Sequence, residues 1–72
     1  MAEEGYPKVN GERLREIRMS RGLTLRRLEQ ASGVPYDLLN ELEAGGGAAE
    51  EGTIEGLADA LEVEPSEFLA DH

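Results

Sequence analysis

The chain has 72 residues, below the roughly 100–200 typical of one domain, and it has no cysteine, so neither a disulfide framework nor a thiolate metal site stabilises it. It carries 16 acidic and 7 basic residues, a net charge of -9, far from the basic balance of a typical nucleic-acid binder. Apolar runs are only a few residues long and Glu3 and Glu4 stand where a secretory signal would be basic, so no membrane span is expected and the location is read as cytoplasmic.

Residues 1–9 read as a flexible N-terminal arm, followed by a helical domain over 10–70. Asn10 is placed to cap a first helix of about residues 11–21, in which Leu14 and Ile17 recur at three-residue spacing and arginines take other positions. Thr24 caps a second helix over 25–32, with Leu25, Leu28 and Ala31 on its apolar side, and Gly33 supplies the left-handed turn that stops it. Pro35 suits the first turn of a third helix, 35–43, carrying Leu38, Leu39 and Leu42. Residues 44–52 hold four glycines and no bulky apolar group, so nothing there offsets the entropy of ordering the backbone, and a mobile loop is expected. Thr53 then caps a fourth helix, 54–61, whose Ile54, Leu57, Ala58 and Leu61 form the most regular stripe in the chain. Glu64-Pro65 opens a last short helix, 65–70, whose Phe68 and Leu69 cover the open end of the core; Leu23, Val34 and Val63 complete it. Met19, Tyr36 and Leu38 are the large apolar residues this core needs least, and they are read as surface or as part of a subunit contact.

Several short motifs occur together and in order. These are Leu14-Arg-Glu-Ile-Arg18, Arg21-Gly-Leu-Thr-Leu-Arg-Arg-Leu28, Ala31-Ser-Gly-Val34, Leu39-Asn-Glu-Leu-Glu-Ala-Gly45 and Ile54-Glu-Gly-Leu-Ala-Asp-Ala-Leu-Glu-Val63. In this combination the chain strongly resembles the phage-repressor-like (XRE, Cro-type) helix-turn-helix family of small DNA-binding regulators. The resemblance implies an all-α, five-helix lambda-repressor-like domain in which helix 2 crosses the DNA backbone and helix 3 enters the major groove. It also implies a homodimer on double-stranded DNA, and an ion pair between Arg18 of helix 1 and Glu43 at the end of helix 3.

On that scheme the base-reading candidates are Tyr36, Asp37, Asn40 and Glu41, and the phosphate candidates are Thr24, Arg26, Arg27 and Tyr36. Asn40 is a standard adenine reader, whereas Asp37 and Glu41 repel the backbone unless each meets a cytosine amino group. The charge is unevenly written: all seven basic side chains fall within residues 8–27, and residues 28–72 contain no Lys or Arg. The leading reading is a sequence-specific transcriptional regulator. The alternative is an acidic interaction module, derived from the same fold, that docks on a basic protein partner as an antirepressor or DNA mimic does and no longer reads DNA. No enzymatic role is expected, because the sole histidine is the terminal His72 and no serine has a base at a recognisable spacing. Neither a cofactor nor a metal is expected, since the carboxylates form no Gly-containing calcium loop.

Overall fold

The computed structural model describes residues 6–70. In chain order it has β1 (Lys8–Val9), α1 (Gly11–Ser20), α2 (Leu25–Ser32), α3 (Tyr36–Gly45), β2 (Gly47–Ala48) and α4 (Glu51–Leu61), followed by one 3-10 turn, Pro65–Glu67. The expectations for His72 and for the first five residues of the arm lie outside the described residues.

Local signals start and stop the first two helices. The Asn10 side chain accepts from the Arg13 amide (3.1 Å), and the Thr24 hydroxyl accepts from the Arg27 amide (3.1 Å), so each satisfies a first-turn N–H that has no partner inside its helix. Gly33 stops α2 with φ 78°, a left-handed conformation that costs glycine little. α1 packs on α3, and α2 packs on both α3 and α4. Gly56 allows the second of these approaches, because a Cβ there would stand 3.0 Å from the Ser32 carbonyl oxygen. Leu14, Leu28, Leu39, Leu57, Leu61 and Phe68 are sealed at the centre.

The structure corrects the sequence reading in five places. Ala31 is exposed: the two-turn α2 fully buries only Leu28, with Leu25 and Ser32 half-buried beside it, and Ala31 falls at the margin of that stripe. Leu23, Val63 and Leu69 are half-buried at the margin of the core, not inside it. The segment expected to be a mobile loop is ordered: α3 runs on to Gly45, β2 pairs antiparallel with β1 (Lys8 opposite Ala48, Val9 opposite Gly47), and Ala49 is buried. The same pairing orders the last two residues of the arm, and burial of Val9 and Ala49 together with the ladder bonds offsets the ordering entropy. Helix α4 begins three residues early, with Glu50 rather than Thr53 at its cap, and Glu51 in the first turn suits the positive end of the helix.

The fifth correction concerns the expected helix over 65–70. Only its first turn forms, because the Phe68 carbonyl accepts from the Asn10 amide (2.8 Å) and the Ala70 amide donates to the Lys8 carbonyl (2.8 Å), which straightens the chain. Val9 thereby pairs with Gly47 on one side and bridges Leu69 on the other. Among the described residues the architecture is four α-helices with a small sheet.

One stability prediction arises from α4. A Cβ added at Gly52 would meet nothing within 4 Å. Gly52→Ala is expected to stabilise the fold by about 0.4–1 kcal/mol by reducing the freedom of the unfolded chain. A thermal melt reads this as a higher midpoint; a lower one contradicts it.

Candidate nucleic-acid interface

The turn between α2 and α3 is fixed by a short relay of hydrogen bonds. The Ser32 hydroxyl donates to the Leu28 carbonyl (2.7 Å) and accepts from the Val34 amide (3.1 Å), while Val34 itself is buried. Pro35 caps α3 without a side-chain hydrogen bond. The first turn of α3 is instead served from α2, where the Glu29 carboxylate accepts from the Tyr36 amide at 3.1 Å. An anion at the start of a helix is favoured by the aligned peptide dipoles. Glu29 also pairs with Arg26 at 3.5 Å, and the Arg26 guanidinium sits 4.4 Å from the centre of the Tyr36 ring. That distance is within the range of a cation–π contact. Glu29, Arg26 and Tyr36 therefore lock the mutual angle of the two helices.

α3 divides cleanly into faces. Leu39 and Leu42 are buried, Leu38 and Tyr36 are half-buried, and Asp37, Asn40, Glu41 and Ala44 are exposed. Positions 37, 40, 41 and 44 follow the i, i+3, i+4, i+7 spacing that places side chains on one side of a helix. Behind this face, Glu43 is held by Arg18: Nε donates to one carboxylate oxygen at 2.6 Å, Nη2 to the other at 3.0 Å, and Nη1 reaches the Leu23 carbonyl at 2.6 Å. The two side chains are only 12% and 6% exposed. A two-pronged Arg–carboxylate contact of this kind fixes orientation as well as distance, so α1 sets the register of α3.

The arginines separate into two groups. Arg13 is engaged with Glu16 and with both the carbonyl and the carboxylate of Glu67, and Arg21 donates to the Glu62 carbonyl at 3.4 Å. Those two tie α1 to the C-terminal segment. Arg26 and Arg27 stand exposed on α2, with Arg26 at the start of α3, and exposed Thr24 precedes them. Arg15 lines a 230 Å³ cleft with Leu25, Asn40 and Ala44, beside the far half of α3.

The structure thus brings together the candidates Arg26 and Tyr36 at one end of α3, and places Asp37, Asn40 and Glu41 on its open face. Two members of the same surface escaped the sequence reading. Ala44 lies four residues after Asn40, so helical spacing would have found it, whereas Arg15 joins this surface only through the way α1 lies against α3. Among the described residues no group of three or more His, Asp or Glu side chains is placed to hold a metal ion, and no helix is long and apolar enough to cross a membrane.

A family profile described as a helix-turn-helix domain matches residues 11–70. The crystal structure of the restriction-modification controller protein C.AhdI from Aeromonas hydrophila is similar, at 37% identity over 79% of this chain and 86% of that one, with a TM-score of 0.74. Two structures of PhpD, one native with cadmium and one with cadmium and hydroethylphosphonate, are 28% identical with TM-scores of 0.74. They cover 88% of this chain but only 13% and 14% of theirs, so the likeness is to a small part of a larger molecule. No curated protein matches the chain.

Proposed function

Because the chain belongs to the helix-turn-helix family, whose phage-repressor-like branch its motifs resemble, we propose that it is a sequence-specific DNA-binding transcriptional regulator that reads the major groove with α3. The observation that carries this reading is the framing of α3: Arg26 at one end and Arg15 at the other flank an exposed face bearing Asn40, and Arg27 stands exposed next to Arg26 on α2. Guanidinium groups so spaced are suited to phosphates on either side of a groove, which offsets the repulsion of Asp37 and Glu41. Thr24 and Tyr36 add neutral phosphate contacts. The likeness to a restriction-modification controller supports a regulatory role.

The protein acts as a homodimer in this proposal, reading two half-sites about one helical turn apart. Three arginines per protomer give a modest footprint, so the logarithm of affinity is expected to fall with the logarithm of salt with a slope of about -5 for the dimer. Arg27→Ala is expected to weaken binding by a similar factor on all sequences and to lower that slope by about 2 per dimer, with two arginines lost. Fluorescence anisotropy on duplexes selected from a random pool, repeated across salt concentrations, measures both quantities. Absence of binding to any duplex at low salt would remove the regulator reading and favour an acidic module that docks on a basic protein.

A further inference from the structure

We propose that Asp37 and Glu41 make α3 a reader of cytosine, each carboxylate accepting the groove-facing N4 hydrogen of a C·G pair. The inference rests on the DNA-binding role above and specifies its target. Both side chains are exposed on the same face as Asn40 and Ala44, and neither has an ion-pair or hydrogen-bond partner among the described residues. Neither arginine nearest α3 pairs with them: Arg26 lies over the Tyr36 ring beside Glu29, its side chain 72% exposed and open to a phosphate, and Arg15 lies by Asn40 and Ala44. Four residues of helix separate the two carboxylates by about 6 Å along the axis, just under two base-pair steps of about 3.4 Å. They therefore address different base pairs.

An ionised carboxylate only accepts hydrogen bonds. The major groove presents acceptors at guanine N7 and O6, adenine N7 and thymine O4, all of which repel it, and donors only at cytosine N4 and adenine N6. On adenine the N7 lone pair stands beside the donor and opposes the second carboxylate oxygen. On cytosine the neighbouring group is C5–H, which does not. At guanine or thymine the carboxylate loses its water and gains no donor, and at adenine the N7 lone pair opposes the gain, so these residues act by penalising wrong sites more than by strengthening the right one.

The two effects have opposite signs, and that makes the test sharp. Duplexes selected from a random pool by the unaltered protein are expected to carry cytosine at two positions per half-site. On the selected duplex, Asp37→Ala or Glu41→Ala is expected to weaken binding about tenfold. On a random duplex the same variants are expected to bind more tightly, because a charge that repels phosphate is gone. N4-methylcytosine at a contacted position keeps the pairing hydrogen and blocks the groove-facing one, so it is expected to cost the unaltered protein about tenfold and the matching alanine variant nothing. Circular dichroism of the variants shows that these exposed substitutions leave the fold intact. Selection without cytosine preference, or equal weakening on both duplexes, overturns the cytosine assignment while leaving DNA binding in place. Failure to bind any duplex overturns both.

Discussion

Glu43→Ala is expected to destabilise the domain by about 3–5 kcal/mol, the range seen when one partner of a buried ion pair is removed. The cause is the group left behind. Arg18 is 12% exposed, makes two hydrogen bonds to Glu43 and a third to the Leu23 carbonyl, and without the carboxylate would hold an unpaired charge between α1 and α3. A loss of that size is a large part of the roughly 5–15 kcal/mol that holds a typical domain together, and 72 residues place this one at the low end. Replacing both partners by apolar residues, Arg18→Met with Glu43→Leu, is expected to recover most of the loss, since desolvation of two charges is then no longer required. Urea unfolding of Glu43→Ala measures the loss, and Arg18→Met, Glu43→Leu and the variant carrying both close the cycle. A single-variant loss under about 1 kcal/mol would place the pair with exposed salt bridges instead.

Gly11→Ala is expected to cost about 3 kcal/mol, at the upper end of what overpacking does, because the obstacle is backbone. A Cβ at Gly11 would overlap the Leu42 carbonyl oxygen and stand 3.0 Å from the Gly46 amide nitrogen and 3.1 Å from the Glu43 carbonyl oxygen. No side chain can swing aside to admit it, so the start of α1 must move off the end of α3. Such a shift also strains the Arg18–Glu43 contact, whose geometry depends on the same pair of helices. In a melt the effect should appear as a fall of about 4–8 °C for each kcal/mol lost, against the small rise expected for Gly52→Ala. Equal behaviour of the two glycine variants would show that α1 and α3 are not in close contact at Gly11.

Much of this architecture is legible in the chain because its signals are local. Asn10, Thr24 and Gly33 mark helix ends through their own hydrogen bonds and dihedral angles, and Ile54, Leu57, Ala58 and Leu61 mark a buried stripe through spacing alone. The small sheet is invisible by the same logic. Two-residue strands have no period, Val9 is a single apolar residue between Lys8 and Asn10, buried Ala49 differs in nothing local from exposed Ala48, and their burial depends on segments about forty and sixty residues apart along the chain meeting there. The truncated last helix follows from that meeting, since backbone groups of Phe68 and Ala70 are taken by Asn10 and Lys8. At the candidate interface, Asp37, Asn40 and Glu41 are readable as one exposed face of α3. The arrangement of Arg26 over Tyr36 is not, because it depends on how α2 and α3 cross, and neither is the placing of Arg15, which depends on how α1 lies against α3.

The pairing of Val9 with Leu69 also bears on how the chain acquires its shape. Contacts within and between successive helices form quickly, but joining residues 8–10 to residues 68–70 closes a loop of almost the whole chain, and its entropy must be lost before any bond there is gained. Folding should therefore be slower than in a helical bundle of equal length. During synthesis the first strand must wait, unpaired with its second neighbour, until Leu69 has left the ribosome.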